Sequence, residues 1–172
     1  MPIPRTNKKS MCLSVAAMLL AATAFGQTQT DKTFVQTAME VNLAEIQVGQ
    51  LAAQKGATDG VKRFGQRLVS DHTRLEDEMK PIAAKIGVTP PAELAPDDQA
   101  LLTKLQGESV AAFDMTFVNA MVSGHKQGVQ LYKNEETNGQ DAAVRVSATK
   151  GEPVIAAHLR IAERLAGTIG KS

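Results

Sequence analysis

The chain has 172 residues, of which 43% are apolar, and its formal net charge is +1. It contains one tyrosine and no tryptophan, and no cluster of basic residues occurs beyond its N-terminal head. Proteins that bind nucleic acids need a basic surface, and those that bind single strands also use aromatic side chains for stacking. The composition therefore excludes a nucleic-acid partner.

The N-terminus has the three parts of a secretory signal peptide. A basic head, an apolar run and a stretch of small residues follow one another: Arg5, Lys8 and Lys9; residues 11–22; and Ala22-Thr23-Ala24. We expect residues 1–24 to be removed after Ala24 or, as the second choice, after Gly26, and an uncleaved anchor is the alternative. The mature protein is then expected in the periplasm or at the outer membrane.

Cleavage would change both the charge and the cysteine content. Loss of the three basic residues leaves 16 of the 19 against 18 acidic residues, a net charge of −2. Cys12 is the only cysteine and lies in the signal peptide, so the mature chain has no disulfide. No later stretch stays apolar for the roughly 20 residues of a transmembrane helix. We expect residues 25–172 to form a single soluble domain.

The first half of this domain has apolar residues at spacings of three, four and seven, the period of amphipathic helices. Helix A is predicted over residues 33–55, with Asp31 as its N-cap. Helix B is predicted over about 60–86, with a kink at Pro81, since proline removes one backbone hydrogen bond.

The second half continues the same pattern. A short helix is predicted from Pro96 to about Leu105, followed by helix C over about 110–137 and helix D over about 141–169. Helix D is expected in two pieces, broken at Gly151-Glu152-Pro153. No alternating run indicates a strand. The fold class is therefore all-α: an antiparallel four-helix bundle with an extra short helix in the B-to-C crossover.

Each long helix carries a polar interruption of its apolar stripe near its midpoint: Glu45, the pair Asp71-His72, His125 and His158. Antiparallel helices of similar length bring their midpoints to one level, so these groups are expected to converge. Buried unpaired charges are costly, so the groups either satisfy one another or bind an ion. Imidazole and carboxylate ligands suit a single Zn, Fe, Mn or Cu ion.

Three functions stay open at this point. The leading hypothesis is a non-enzymatic bundle protein that holds one transition-metal ion through Glu45, His72, His125 and His158, with Asp71 as a ligand or a supporting partner. The alternatives are a metal-dependent redox or peroxide-handling enzyme, and a structural or partner-binding module in which the polar cluster is satisfied without metal. Protein partners are not indicated.

Two further expectations concern charge. Buried neutral histidines would make stability fall as the pH drops through about 6. The acidic groups Glu76-Asp77-Glu78 and Glu135-Glu136 are interpreted as solvated faces.

Several of these residues also carry a family resemblance: Phe34-Val35 with Ala38, Ala44-Glu45, Phe64 with Leu68-Val69 and Asp71-His72, Ala112-Phe113-Asp114 with Phe117 and His125, and Pro153 with His158. Over about residues 31–168 the chain resembles the exported bacterial family called domain of unknown function 4142, which is considered ferritin-like. The resemblance implies a ferritin-like bundle and export, with no established activity. Ferritin-like di-metal enzymes carry Glu-x-x-His, whereas Val69 and Ile155 precede His72 and His158 by three, so a mononuclear site or no site fits better.

Overall fold

The computed structural model describes the backbone of residues 13–169 and the side chains of residues 30–169. The basic head of the predicted signal peptide and the side chains around its cleavage sites lie outside these described residues. The described chain is entirely helical, as predicted, and none of its helices has the length and apolarity to cross a membrane. The helices are α1 (Leu13–Lys55), α2 (Asp59–Ile86), α3 (Pro96–Gly107), α4 (Val110–Asn138) and α5 (Ala142–Ile169).

The four long helices form two hairpins, α1–α2 and α4–α5, which pack side by side. α2 lies against α5 and α1 lies against α4, while α3 crosses over α1 and α4. The part of α1 around Asp31 meets the end of α4, where Asp31 accepts hydrogen bonds from the backbone N–H groups of Gln140 and Asp141 at 2.8 and 2.9 Å. Each long helix is thus antiparallel to both of its neighbours, which confirms the predicted bundle.

Two details of the predicted helices are wrong. Helix α1 begins at Leu13 rather than at residue 33, so Asp31 is not its N-cap. Residues 13–30 are rich in alanine and leucine and contain no proline, so the helix has no local reason to begin as late as Asp31. The carboxylate of Asp31 instead pairs with the start of α5.

The fourth helix is also not broken by its proline. α5 runs without interruption through Pro153. Ala148 and Ile155, on either side of the proline, are both buried in the core, and Gly151 packs directly on the ring of Tyr132. Packing against α4 on both sides of Pro153 outweighs the loss of one backbone hydrogen bond.

The core consists of two apolar clusters stacked along the bundle axis. The cluster near Asp31 is built around Phe34, Met79 and Tyr132, and the cluster near the α1–α2 link is built around Phe64, Phe113 and Phe117. Between the two clusters lies a layer of buried polar side chains.

Candidate metal centre

Every long helix crosses the polar layer as it passes from one apolar cluster to the other. On α2, His72 lies between Leu68 of one cluster and Leu75 of the other. His125 and His158 hold the same position on α4 and α5. The midpoint argument therefore predicted the common level of these side chains correctly, because the helices are antiparallel and of similar length.

The three histidines meet in the middle of this layer. One ring nitrogen of each lies within 4.8 Å of the corresponding nitrogen of the other two. The ring centroids of His72 and His158 are 5.3 Å apart, as are those of His125 and His158. All three side chains are buried, with exposed fractions of 0 to 3%.

Hydrogen bonds fix which nitrogen of each ring carries the hydrogen. His72 donates from Nδ1 to Oδ1 of Asn42, and His125 donates from Nδ1 to the carbonyl oxygen of Met121, both at 2.9 Å. His158 donates from Nε2 to Oδ2 of Asp71, also at 2.9 Å. Since each acceptor is an oxygen, the opposite nitrogen of each neutral ring keeps a free lone pair.

Those opposite nitrogens are buried and have no hydrogen-bond partner among the residues that the structure describes: Nε2 of His72, Nε2 of His125 and Nδ1 of His158. Burial, together with the other two rings, holds the pKa of His72 well below its ordinary value. Burial also lowers the pKa of His125 to about 4 and lowers that of His158, although Asp71 partly opposes the shift there. The rings are thus neutral at pH 7, the state in which imidazole can bind a metal.

Asp71 contacts His158 through Nε2 of that ring and is not one of the three residues of the cluster. Its Oδ2 also accepts a hydrogen bond from Nε of Arg67 at 3.2 Å. Burial raises the pKa of Asp71, but the hydrogen bond and charge of His158 and then those of Arg67 lower it overall. This places Asp71 as the orienting partner of His158 rather than in the group of three nitrogens.

Glu45 lies on the other side of the layer. Its Oε1 is 3.9 Å from Nδ1 of His125, the nitrogen that donates to the carbonyl oxygen of Met121. Oε2 of Glu45 is buried without a partner, and burial followed by the nearby charge of Asp98 raises the pKa of Glu45 to about 8. Glu45 is therefore adjacent to the histidine cluster without belonging to it.

Sequence reasoning missed two buried polar residues, Asn42 in the histidine layer and Glu135 near Asp31 at the end of α4. Asn42 is 1% exposed and joins His72 to Glu76, donating to Oε2 of Glu76 at 3.4 Å. Glu135 is 1% exposed, so its interpretation as part of a solvated face is wrong. Burial and the carboxylate of Asp31 raise the pKa of Glu135 to about 7.

An internal repeat could have revealed Asn42. The stretch Asp31-Lys32-Thr33-Phe34-Val35 in α1 recurs in α4 as Asp114-Met115-Thr116-Phe117-Val118, differing only at the second position. Aligning the two stretches places Asn42 opposite His125. The match therefore marks Asn42 as a polar residue at the level of the site.

Comparison with known proteins agrees with the fold. The model of the family "Domain of unknown function (DUF4142)" matches residues 16–165, and the chain belongs to this family. A solved structure described as a DUF305 fragment from Deinococcus radiodurans has the same fold, with a TM-score of 0.70 and 14% sequence identity. The alignment covers 83% of this chain and 97% of that one. A search of curated proteins finds no match.

Proposed function

We propose that this protein binds one transition-metal ion through Nε2 of His72, Nε2 of His125 and Nδ1 of His158. Two observations carry the proposal: one ring nitrogen of each histidine lies within 4.8 Å of one on each of the other two, and each ring has one buried nitrogen without a hydrogen-bond partner among the described residues. Buried polar atoms are normally hydrogen-bonded, and an unsatisfied one costs about 1–3 kcal/mol. A shared cation would satisfy all three at once.

The surroundings of the rings support the same proposal. Each histidine donates its other N–H to an oxygen: an amide on Asn42, a backbone carbonyl on Met121 and a carboxylate on Asp71. Such bonds fix the orientation of metal-binding histidines and raise their basicity. Three neutral imidazoles favour Zn²⁺, Cu²⁺ or Fe²⁺ over Mg²⁺ and Ca²⁺, which prefer oxygen ligands.

Metal analysis of protein purified without a histidine tag tests this. We expect one bound Zn²⁺ or Cu²⁺ ion per chain in the wild type and almost none in His158→Ala. Leu75→Ala is the matched control. In the alignment that pairs Asp31 with Asp114, Leu75 of α2 is aligned with His158 of α5, and its side chain is also buried. The control variant should keep the ion although it too loses a core side chain.

The melting temperature gives a second measurement on the same proteins. Because the metal ligands are assembled only in the folded state, added Zn²⁺ should raise the melting temperature of the wild type and of Leu75→Ala. It should leave that of His158→Ala unchanged. Equal metal content and equal melting shifts in all three proteins would overturn the proposal.

We also propose that residues 1–24 direct export to the periplasm or outer membrane and are then removed. The order of basic head, apolar run and small residues supports this. N-terminal sequencing of the protein from the periplasmic fraction should begin at Phe25 or Gln27. A protein that stays in the cytoplasm with an intact Met1 would contradict the proposal.

A further inference from the structure

A cavity of about 590 Å³ opens between α1 and α4, beside the histidine cluster. It forms because these two helices face each other with small residues: Ala38, Ala44, Ala120, Gly124 and Gly128. A Cβ atom added to Gly124 would have no atom within 4 Å, so the space beside it is open. Pockets of about 300–1,000 Å³ are typical of sites for small molecules.

The cavity reaches the histidine cluster from one side only. The side chains of His72 and His125 contribute to its wall, whereas His158 does not. An ion bound by the three histidines would therefore have His158 on one side and the cavity on the other. Three imidazole ligands leave at least one position free on Zn²⁺ or Co²⁺, since these ions take four or more ligands.

The cavity lining also contains a buried carboxyl group, that of Glu45, with an oxygen atom that has no hydrogen-bond partner among the described residues. This atom is Oε2, and Glu45 is 8% exposed. The other acidic lining residue is Asp98, at the start of α3. Among the described residues, no lysine or arginine lines the cavity, so apart from the metal ion itself the wall offers an anion no countercharge, while its many apolar groups suit a ligand with an apolar body.

We propose that this cavity binds a small neutral molecule with an apolar body and one nitrogen or oxygen donor atom, which occupies the free position on the metal ion. The inference rests on the proposed metal site and names the class of ligand that the site accepts. Glu45 lies where it can form a hydrogen bond with the polar end of such a molecule.

Co²⁺-loaded full-length protein allows a direct test, because the visible spectrum of Co²⁺ responds to a change of ligand. The probes are 4-phenylimidazole, imidazole and azide at about pH 8, where the imidazoles are neutral. We expect 4-phenylimidazole to bind about tenfold more tightly than imidazole. Azide has no apolar body to contact the lining and should bind more weakly than 4-phenylimidazole.

Gly124→Leu should place an apolar side chain in the cavity, since an added Cβ at this position meets no described atom within 4 Å. We expect it to weaken 4-phenylimidazole binding about tenfold while Co²⁺ stoichiometry and affinity stay unchanged. Gly167→Leu is the matched control, because Gly167 is also helical with open space around it but lies outside the cavity lining. It should leave both the metal and the probe affinities unchanged.

The outcomes separate the two proposals. If Co²⁺ binds but no probe changes its spectrum, or if Gly124→Leu binds 4-phenylimidazole as well as the wild type does, the cavity proposal fails and the metal site stands. Tighter binding of azide than of 4-phenylimidazole overturns the assigned ligand class. If Co²⁺ itself does not bind, the metal site fails first.

Discussion

The hairpins α1–α2 and α4–α5 are built alike at their links. Asp114 of α4 accepts hydrogen bonds from the backbone N–H groups of Ala57 and Thr58, and Asp31 of α1 does the same for Gln140 and Asp141. Each hairpin is thus closed by an aspartate from the first helix of the other. We call two positions matching when they are separated by the same interval as Asp31 and Asp114. Matching positions have the same role at both links.

Away from the links, matching positions of the two hairpins differ in size. In α1–α2 a glycine, Gly49, packs on Leu68, whereas in α4–α5 a large residue, Tyr132, packs on Gly151. Gly49 matches Tyr132 and Leu68 matches Gly151, so the large and small partners have exchanged sides. The volume of each interface is filled in both cases, since helix packing requires complementary rather than identical side chains.

At mid-height the two hairpins differ in chemistry. His125 matches Asn42, His72 matches Ile155 and His158 matches Leu75. Repetition of the scaffold therefore did not produce two copies of the site. One asymmetric group of three histidines forms, and Asn42 serves as the hydrogen-bond partner of His72.

Removing the aspartates that close the links should have the largest effect on stability. Asp114→Ala removes the carboxylate that accepts hydrogen bonds from two backbone N–H groups and from the hydroxyl of Thr58. It should lower the free energy of unfolding by about 3 kcal/mol. Asp31→Ala also removes the acceptor of two backbone N–H groups, but it takes away a negative charge beside Glu135. It should therefore lower the free energy of unfolding by less, about 2 kcal/mol. Denaturant unfolding measures both. The exposed Asp59→Ala is the control; a cost equal to that of Asp114→Ala would contradict this prediction.

The exchanged packing pair should show strong coupling. A Cβ on Gly151 would overlap the ring of Tyr132, so Gly151→Ala should cost about 2 kcal/mol. In a Tyr132→Leu background the same change should cost much less, because the ring is gone. A double-mutant cycle measured by denaturant unfolding gives the coupling energy, and strictly additive effects would refute the contact.

The histidine layer should make the metal-free protein less stable in acid. The folded pKa of His125 is about 4 and the ordinary value is 6.5, so the unfolded state takes up the proton first as the pH falls. His125→Leu should therefore reduce the loss of stability between about pH 7 and 5 by about 1–2 kcal/mol. Val129→Leu, one turn further along α4, should leave that loss unchanged. The measurement is denaturant unfolding in a chelator.

Glu45 should act in the opposite direction, and between about pH 7 and 8 its effect should be smaller than that of His125 between about pH 7 and 5. Its folded pKa of about 8 exceeds the ordinary 4.5, so the folded state holds the proton and stability falls as the pH rises towards 8. Glu45→Gln should remove about 1 kcal/mol of the loss between about pH 7 and 8. Denaturant unfolding across this pH range measures the effect. If Glu45→Gln loses as much stability over this range as the wild type does, Glu45 is in contact with water.

Helix periodicity in the sequence was sufficient to predict four long helices, the short crossover helix and the shared level of the histidines. The 3.6-residue period marks the buried face of each helix, and antiparallel packing aligns the midpoints. The sequence also marked Glu45 and Asp71 as polar residues at the level of the histidines. It did not indicate their separate positions, one beside the cavity and one hydrogen-bonded to His158.

The sequence by itself determined which residues face the core, because burial of a helix face depends on local spacing. Only the tertiary structure decided that Asp31 binds the backbone of the α4–α5 link, that α5 continues through Pro153 and that Asn42 holds the ring of His72. These outcomes depend on which side chain of a neighbouring helix lies opposite. That pairing is set by the register of packed helices, which short-range spacing along the chain does not specify.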